Sequence, residues 1–94
     1  MIAENENEIL SKALKTYGIE SQRMMVIEEC SELMNVLAKH TRGRISNVED
    51  ILTELADVSI MVDQMALYFG YDGFLKERQS KLERLKERLN KRKE

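Results

Sequence analysis

Two pairs of acidic residues in this sequence have the spacing that helical carboxylates need to act together. Glu29 and Glu32 are three residues apart, and so are Glu54 and Asp57. In an α-helix such residues lie on one face, about 60° from each other around the axis. Apolar residues fall between the acids on that face, unlike the pattern of an ordinary solvated surface. The spacing therefore indicates carboxylates in a partly apolar setting, where they would be protonated or bound to a cation.

The two pairs also lie at matching heights on either side of a turn. If the helices that carry them form an antiparallel hairpin centred on Gly43, residues whose numbers add to 86 lie level with one another. Glu29 is then level with Asp57, and Glu32 with Glu54. Because packed helices lie about 8–10 Å apart, the four carboxylates would converge in one small space. Four like charges are costly there unless a cation neutralises them.

The donor set predicts which metal such a cluster would hold. Carboxylate oxygens without His or Cys suit hard cations, so we expect Mg²⁺ or Mn²⁺ rather than Zn²⁺. Di-iron bundles use Glu-x-x-His pairs, whereas the only histidine, His40, is about two turns from Glu32. The competing interpretation is a set of surface acids that pair with Lys and Arg. The two helices offer only Arg23 and Lys39 within their bodies for that purpose.

Glycines divide the chain into the helices that would position these acids. They occur at Gly18, Gly43, Gly70 and Gly73, and glycine is the residue that most easily ends a helix. Pro is absent and strong helix formers fill the rest, so the sequence predicts an all-α domain. We expect four helices, at about residues 5–16, 21–41, 47–69 and 73–92, with the middle two forming the antiparallel hairpin. The candidate N-terminal caps are Ser21, Asp72 and the pair Ser46 and Glu49.

Length and composition exclude several classes of protein. The chain has 94 residues, of which 43% are hydrophobic and 34% charged, so we expect one domain over residues 1–94. A domain of this size is often marginal alone, which favours self-association. No segment approaches the roughly 20 apolar residues of a membrane span, and the first residues do not resemble a secretion signal. The single Cys30 permits neither an internal disulfide nor a thiolate metal cluster. We therefore predict a soluble, cytoplasmic protein.

Charge is divided between the body of the chain and its last segment. Residues 76–94 carry nine Lys or Arg against four Glu, and residues 1–75 carry six basic against thirteen acidic residues. Leu75, Leu82 and Leu89 recur every seven residues, which predicts a narrow packing seam on the last helix. The basic charge indicates either a solvated face or contact with an anionic ligand or partner. Nucleic-acid binding is disfavoured because glutamates interrupt the basic residues and no aromatic residues alternate with them.

The acidic residues resemble the signature of a known family. Glu28-Glu29-x-x-Glu32, followed after 21 residues by Glu54-x-x-Asp57, is similar to the E-E-x-x-E…E-x-x-D pattern of the MazG-like, all-α nucleoside triphosphate pyrophosphohydrolases. The similarity covers about residues 17–70 and includes the apolar neighbours of both halves. It implies a four-helix MazG-like domain that assembles with further copies, as a dimer or tetramer, into an oligomeric helix bundle.

The same resemblance implies a reaction and a set of site residues. The reaction is (d)NTP plus water to (d)NMP plus pyrophosphate, in which a metal-activated water attacks the α phosphorus and Mg²⁺ bridges the acids and the phosphates. Glu29, Glu32, Glu54 and Asp57 would be the metal ligands. Glu28 would join them in the catalytic set as a supporting or water-activating acid, although it also fits a surface position.

Residues that would bind the substrate are marked less sharply. Lys39 lies near the direction of Glu32 on the helix and about 10 Å further along it, within reach of a long triphosphate. Lys81 and Arg84 resemble, more loosely, the basic residues that relatives place after their second acidic motif. The nearest candidates for contact with the base are Tyr17, Gln22 and Met25.

Two other classes of function fit the same sequence. A MazG-like fold could serve as a nucleotide-binding or regulatory protein with little activity, or the chain could be a purely structural helical adaptor. The adaptor would need neither metal nor nucleotide, and its acids would be dispensable. The presence of metal-dependent pyrophosphate release separates the enzyme from both.

Overall fold

The computed structural model describes residues 4–43 and 47–93, and all regular secondary structure in these ranges is helical. The helices are α1 (Glu4–Tyr17), α2 (Ile19–Thr41), α3 (Val48–Phe69) and α4 (Tyr71–Lys93). The largest interface joins α2 to α3, α1 packs on both of them, and α4 packs on α3 through a small interface. The predicted all-α fold with four helices and a central hairpin is confirmed. No helix in the described ranges has the length and apolar character needed to cross a membrane.

Glycines form the joints between the helices. Gly18, Gly43 and Gly70 have positive φ angles of 86°, 67° and 136°, which glycine adopts without the strain a Cβ would bring. The Gly18 N–H donates to the Leu14 carbonyl and the Gly70 N–H to the Ala66 carbonyl, both at 2.9 Å. Each glycine therefore closes the last turn of one helix, and the next helix begins at the following residue.

The observed helix starts differ from the predicted caps. Ser21 lies inside the first turn of α2 and Asp72 inside the first turn of α4, so neither is a cap. The N-cap of α3 is Asn47, because the predicted cap Ser46 lies outside the described residues. Instead of bonding the first turn of α3, the Asn47 Nδ2 donates to the Val36 carbonyl of α2 at 2.9 Å. This buried side chain ties the start of α3 to α2 and helps to fix the hairpin register.

The hydrophobic core of the single chain is small. Leu10, Met61 and Ala66 are its buried apolar residues, and no described side chain is fully buried. The radius of gyration is 16.3 Å, against about 12 Å for a compact domain of this length. Much apolar surface therefore stays exposed on an isolated copy of the chain.

Candidate metal centre

Three of the four predicted metal ligands converge between α2 and α3. Glu29 on α2, and Glu54 and Asp57 on α3, each place one carboxylate oxygen within 4.8 Å of the others. All three side chains are half-buried. Acids that are distant in sequence meet here at the heights that a hairpin centred on Gly43 predicts.

Burial and mutual repulsion change the acidity of this cluster. The pKa of Glu29 is raised above the ordinary 4.5, first by burial and then by the negative charges of Glu32, Asp57 and Glu54. The pKa of Glu54 is also raised, first by burial and then by Glu32. A hydrogen bond between the two carboxyl groups raises the pKa of Glu29 and opposes the rise at Glu54. Glu29 is therefore the proton donor in that bond.

Two oxygen atoms in the cluster lack a partner. Glu29 Oε2 and Glu54 Oε2 have no contact with solvent and accept no hydrogen bond. A buried carboxylate oxygen left in this way costs free energy, and a bound cation would supply the missing interaction. Because every donor is a carboxylate oxygen, the residues present fit a hard divalent cation such as Mg²⁺ or Mn²⁺.

The other two acids of the motif lie at the edge of the cluster or outside it. Glu32 is exposed, yet it lies close enough to Glu54 for a hydrogen bond between the side chains and raises the pKa of that residue by repulsion. Glu28 is exposed on the adjoining face of α2 and is not among the three converging acids. The four predicted ligands are therefore unequal, with three at the centre and Glu32 at the rim.

The predicted phosphate-binding residues are all exposed and lie outside the three converging acids. Lys39 is in the last turn of α2. Lys81 and Arg84 are on α4, whose backbone makes no close approach to α2. A single copy of the chain therefore does not assemble these cations around the acids.

Two buried amides extend the hairpin register beyond the acids. Gln22 on α2 is 7% exposed and Gln64 on α3 is 2% exposed, and the buried Gln64 Oε1 has no hydrogen-bond partner. Their numbers also add to 86, so they lie level across the hairpin, about two turns from the level of Glu29 and Asp57. The residue types alone do not mark this pair, but the register does. Burial of Gln22 within the chain also leaves it poorly placed to contact a base.

We expect charge neutralisation in the cluster to stabilise the metal-free protein, with an effect that depends on pH. The raised pKa values mean that folding takes up protons above pH 4.5, so stability from these groups is lost as the pH rises through their folded pKa values. A Glu29→Gln/Glu54→Gln double variant should therefore melt above the parent at neutral pH in EDTA.

The difference in melting temperature should shrink as the pH is lowered, because the parent's own carboxyl groups then become protonated. Thermal melts of both proteins, monitored by circular dichroism at several pH values, measure this directly. A difference that grows toward low pH would contradict the raised pKa values.

Known proteins do not identify the family of this chain. Comparisons with protein-family models, with curated proteins and with solved structures give no significant match. A functional conclusion must therefore rest on the motif and on the geometry of the site.

Proposed function

We propose that the protein is a Mg²⁺-dependent nucleoside triphosphate pyrophosphohydrolase of the MazG-like type, which converts a (d)NTP and water into a (d)NMP and pyrophosphate. The observation that carries this proposal is the convergence of Glu29, Glu54 and Asp57 to within 4.8 Å. Both halves of the motif contribute to that cluster, and two of its oxygens have no partner. Ordinary surface acids have no reason to share this arrangement.

In this proposal Glu29, Glu54 and Asp57 hold the cation, and Glu32 contributes from the rim. When bound, Mg²⁺ supplies Lewis-acid chemistry, lowering the pKa of water and neutralising charge on the phosphates. The Glu29 carboxyl must give up its proton for the cation to bind, because carboxylate ligands bind deprotonated. Cation affinity should therefore fall as the pH is lowered. Glu28 supports catalysis from the adjoining face of α2.

The substrate is proposed to lie along the hairpin with its phosphates toward the acids. Lys39 is seven residues beyond Glu32, a distance of about 10 Å along α2, which suits a side chain that contacts the far end of a triphosphate. Lys81 and Arg84 would reach phosphate only in an assembled oligomer, since the single chain keeps them outside the cluster. The small core and exposed apolar surface support a homo-oligomer. We place this activity in the cytoplasm, without a nucleic-acid or membrane partner.

A panel of ribo- and deoxynucleoside triphosphates tests the proposal. With Mg²⁺ or Mn²⁺ we expect at least one of them to yield equal amounts of monophosphate and pyrophosphate, and EDTA should stop the reaction. Products are measured by anion-exchange chromatography, which separates pyrophosphate from orthophosphate. No monophosphate from any nucleotide would overturn the enzymatic proposal, and release of orthophosphate would assign a different bond.

A further inference from the structure

Helices α3 and α4 each carry an exposed apolar row with a seven-residue repeat. The row on α3 consists of Val48, Leu55, Val62 and Phe69, which are 37% to 68% exposed. The distal leucines of α4 are Leu82, Leu85 and Leu89, which are 43% to 53% exposed. A row of this period lets one helix pack along the length of another. Most of both rows lacks such a neighbour within the described chain.

The two rows match each other in an antiparallel register. In a hairpin of α3 and α4 centred on Gly70, residues whose numbers add to 140 lie level. Leu55 is then level with Leu85, and Val58 with Leu82. The alternating three- and four-residue steps of one helix meet those of the other at every level, as in a coiled-coil seam. The sequence thus encodes a longer contact between α3 and α4 than a single copy makes.

The structure forms this contact only beside the joint. Val62 and Asp63 of α3 border the same pocket as Leu75 and Arg78 of α4. Beyond Arg78, the side chains of α4 are exposed as far as they are described. The distal half of α4 therefore projects from its own chain.

The length of the joint explains why α4 does not close on its own α3. Antiparallel helix pairs are usually joined by loops of about 2–5 residues. Here Gly70 alone separates Phe69 from Tyr71. A hinge this short holds the helices apart, and a contact prevented within one chain can form between two identical chains by exchange of the helix.

Charge selects α3, rather than another α4, as the surface that receives the leucines. Within α3 there are five acidic residues and no Lys or Arg. The leucines of α4 are flanked by Lys81, Lys86 and Arg88. If two copies of α4 paired with each other, these flanking cations would face cations in either orientation, which is unfavourable.

We propose that α4 of one copy packs along the α3 row of a second copy, so that the protein is a helix-swapped homodimer. Leu82 and Leu85 then contact the level of Leu55 of the partner subunit, and the exchange is reciprocal. This inference defines the interface of the proposed homo-oligomer. It does not depend on the proposed reaction, and its test involves no nucleotide.

Disulfide cross-linking between two differently tagged copies tests the exchange. One copy carries Leu55→Cys and the other Leu85→Cys, both with Cys30→Ala, and the pair is co-expressed and oxidised. We expect a covalent heterodimer containing both tags, because a disulfide requires the two Cβ atoms to lie about 4 Å apart. Replacing Leu85→Cys by Asn90→Cys, an exposed position on α4 outside the leucine row, should abolish the cross-link.

Other cross-linking patterns would overturn the proposal. Closure within one chain predicts an intrachain disulfide in a monomeric Leu55→Cys/Leu85→Cys variant. Pairing of α4 with α4 predicts that Leu85→Cys alone forms covalent homodimers. Light scattering gives a second readout, in which Leu85→Glu should be monomeric and Asn90→Glu dimeric, with helical circular dichroism retained in both. A monomeric parent protein at micromolar concentration would also contradict the exchange.

Discussion

Replacement of Asp57 by Asn should lower the rate of Mg²⁺-dependent pyrophosphate release by about 100- to 1,000-fold. The substitution keeps the size of the side chain but removes one of the three charges that converge within 4.8 Å. A correctly held metal ion contributes several kcal/mol to catalysis, and each 1.4 kcal/mol corresponds to a factor of ten in rate. Steady-state kinetics with the best nucleotide of the panel measure the loss.

A matched control is available on the same helix. Asp63→Asn makes the same chemical change six residues further along α3, outside the converging acids. We expect this variant to retain the rate of the parent. An Asp57→Asn enzyme that is as active as the parent would remove Asp57 from the site, whereas equal losses in both variants would indicate a general effect of charge on α3.

Binding of Mg²⁺ should raise the melting temperature of the parent protein by about 10–20 °C at a concentration near 100 times Kd. Saturation of this degree stabilises the folded state by about 2.7 kcal/mol, and each kcal/mol corresponds to about 4–8 °C for a domain of this size. The physical cause is that the cation replaces repulsion between carboxylates with attraction and partners the two buried oxygens of Glu29 and Glu54.

Glu54→Gln should separate the two contributions by changing them in opposite directions. Without metal the variant should melt above the parent, because a like charge has been removed from the cluster. With Mg²⁺ it should gain little further stability, because a ligand has been lost. Glu49→Gln, an exposed position on the same helix, should behave like the parent under both conditions. A full Mg²⁺ shift in Glu54→Gln would contradict the ligand assignment.

The hairpin and its acidic centre could be predicted from the sequence because few features determine them. Helical spacing sets the face on which Glu29 and Asp57 lie, and Gly43 sets their heights. The inequality among the acids was less accessible. Whether an oxygen of Glu54 becomes buried while Glu32 stays exposed depends on how closely α2 and α3 pack, which residue types do not encode.

The helix starts and the course of α4 could not be predicted for a different reason. A side chain such as Ser21 has the character of a cap, but Gly18 begins the helix two residues earlier by its backbone conformation alone. The tether from Asn47 to the Val36 carbonyl requires the hairpin to exist already. The seam on α4 was visible as a leucine repeat, whereas its separation from α3 follows from a one-residue joint whose geometry only the structure shows.

The central claim is that this acidic centre directs water to the α phosphorus of a nucleoside triphosphate. The most direct test is turnover of the preferred nucleotide with Mg²⁺ in ¹⁸O-labelled water, followed by mass spectrometry of both products. The account predicts one ¹⁸O atom in the nucleoside monophosphate and none in the pyrophosphate. Label in the pyrophosphate, or no hydrolysis of any nucleotide, would contradict it.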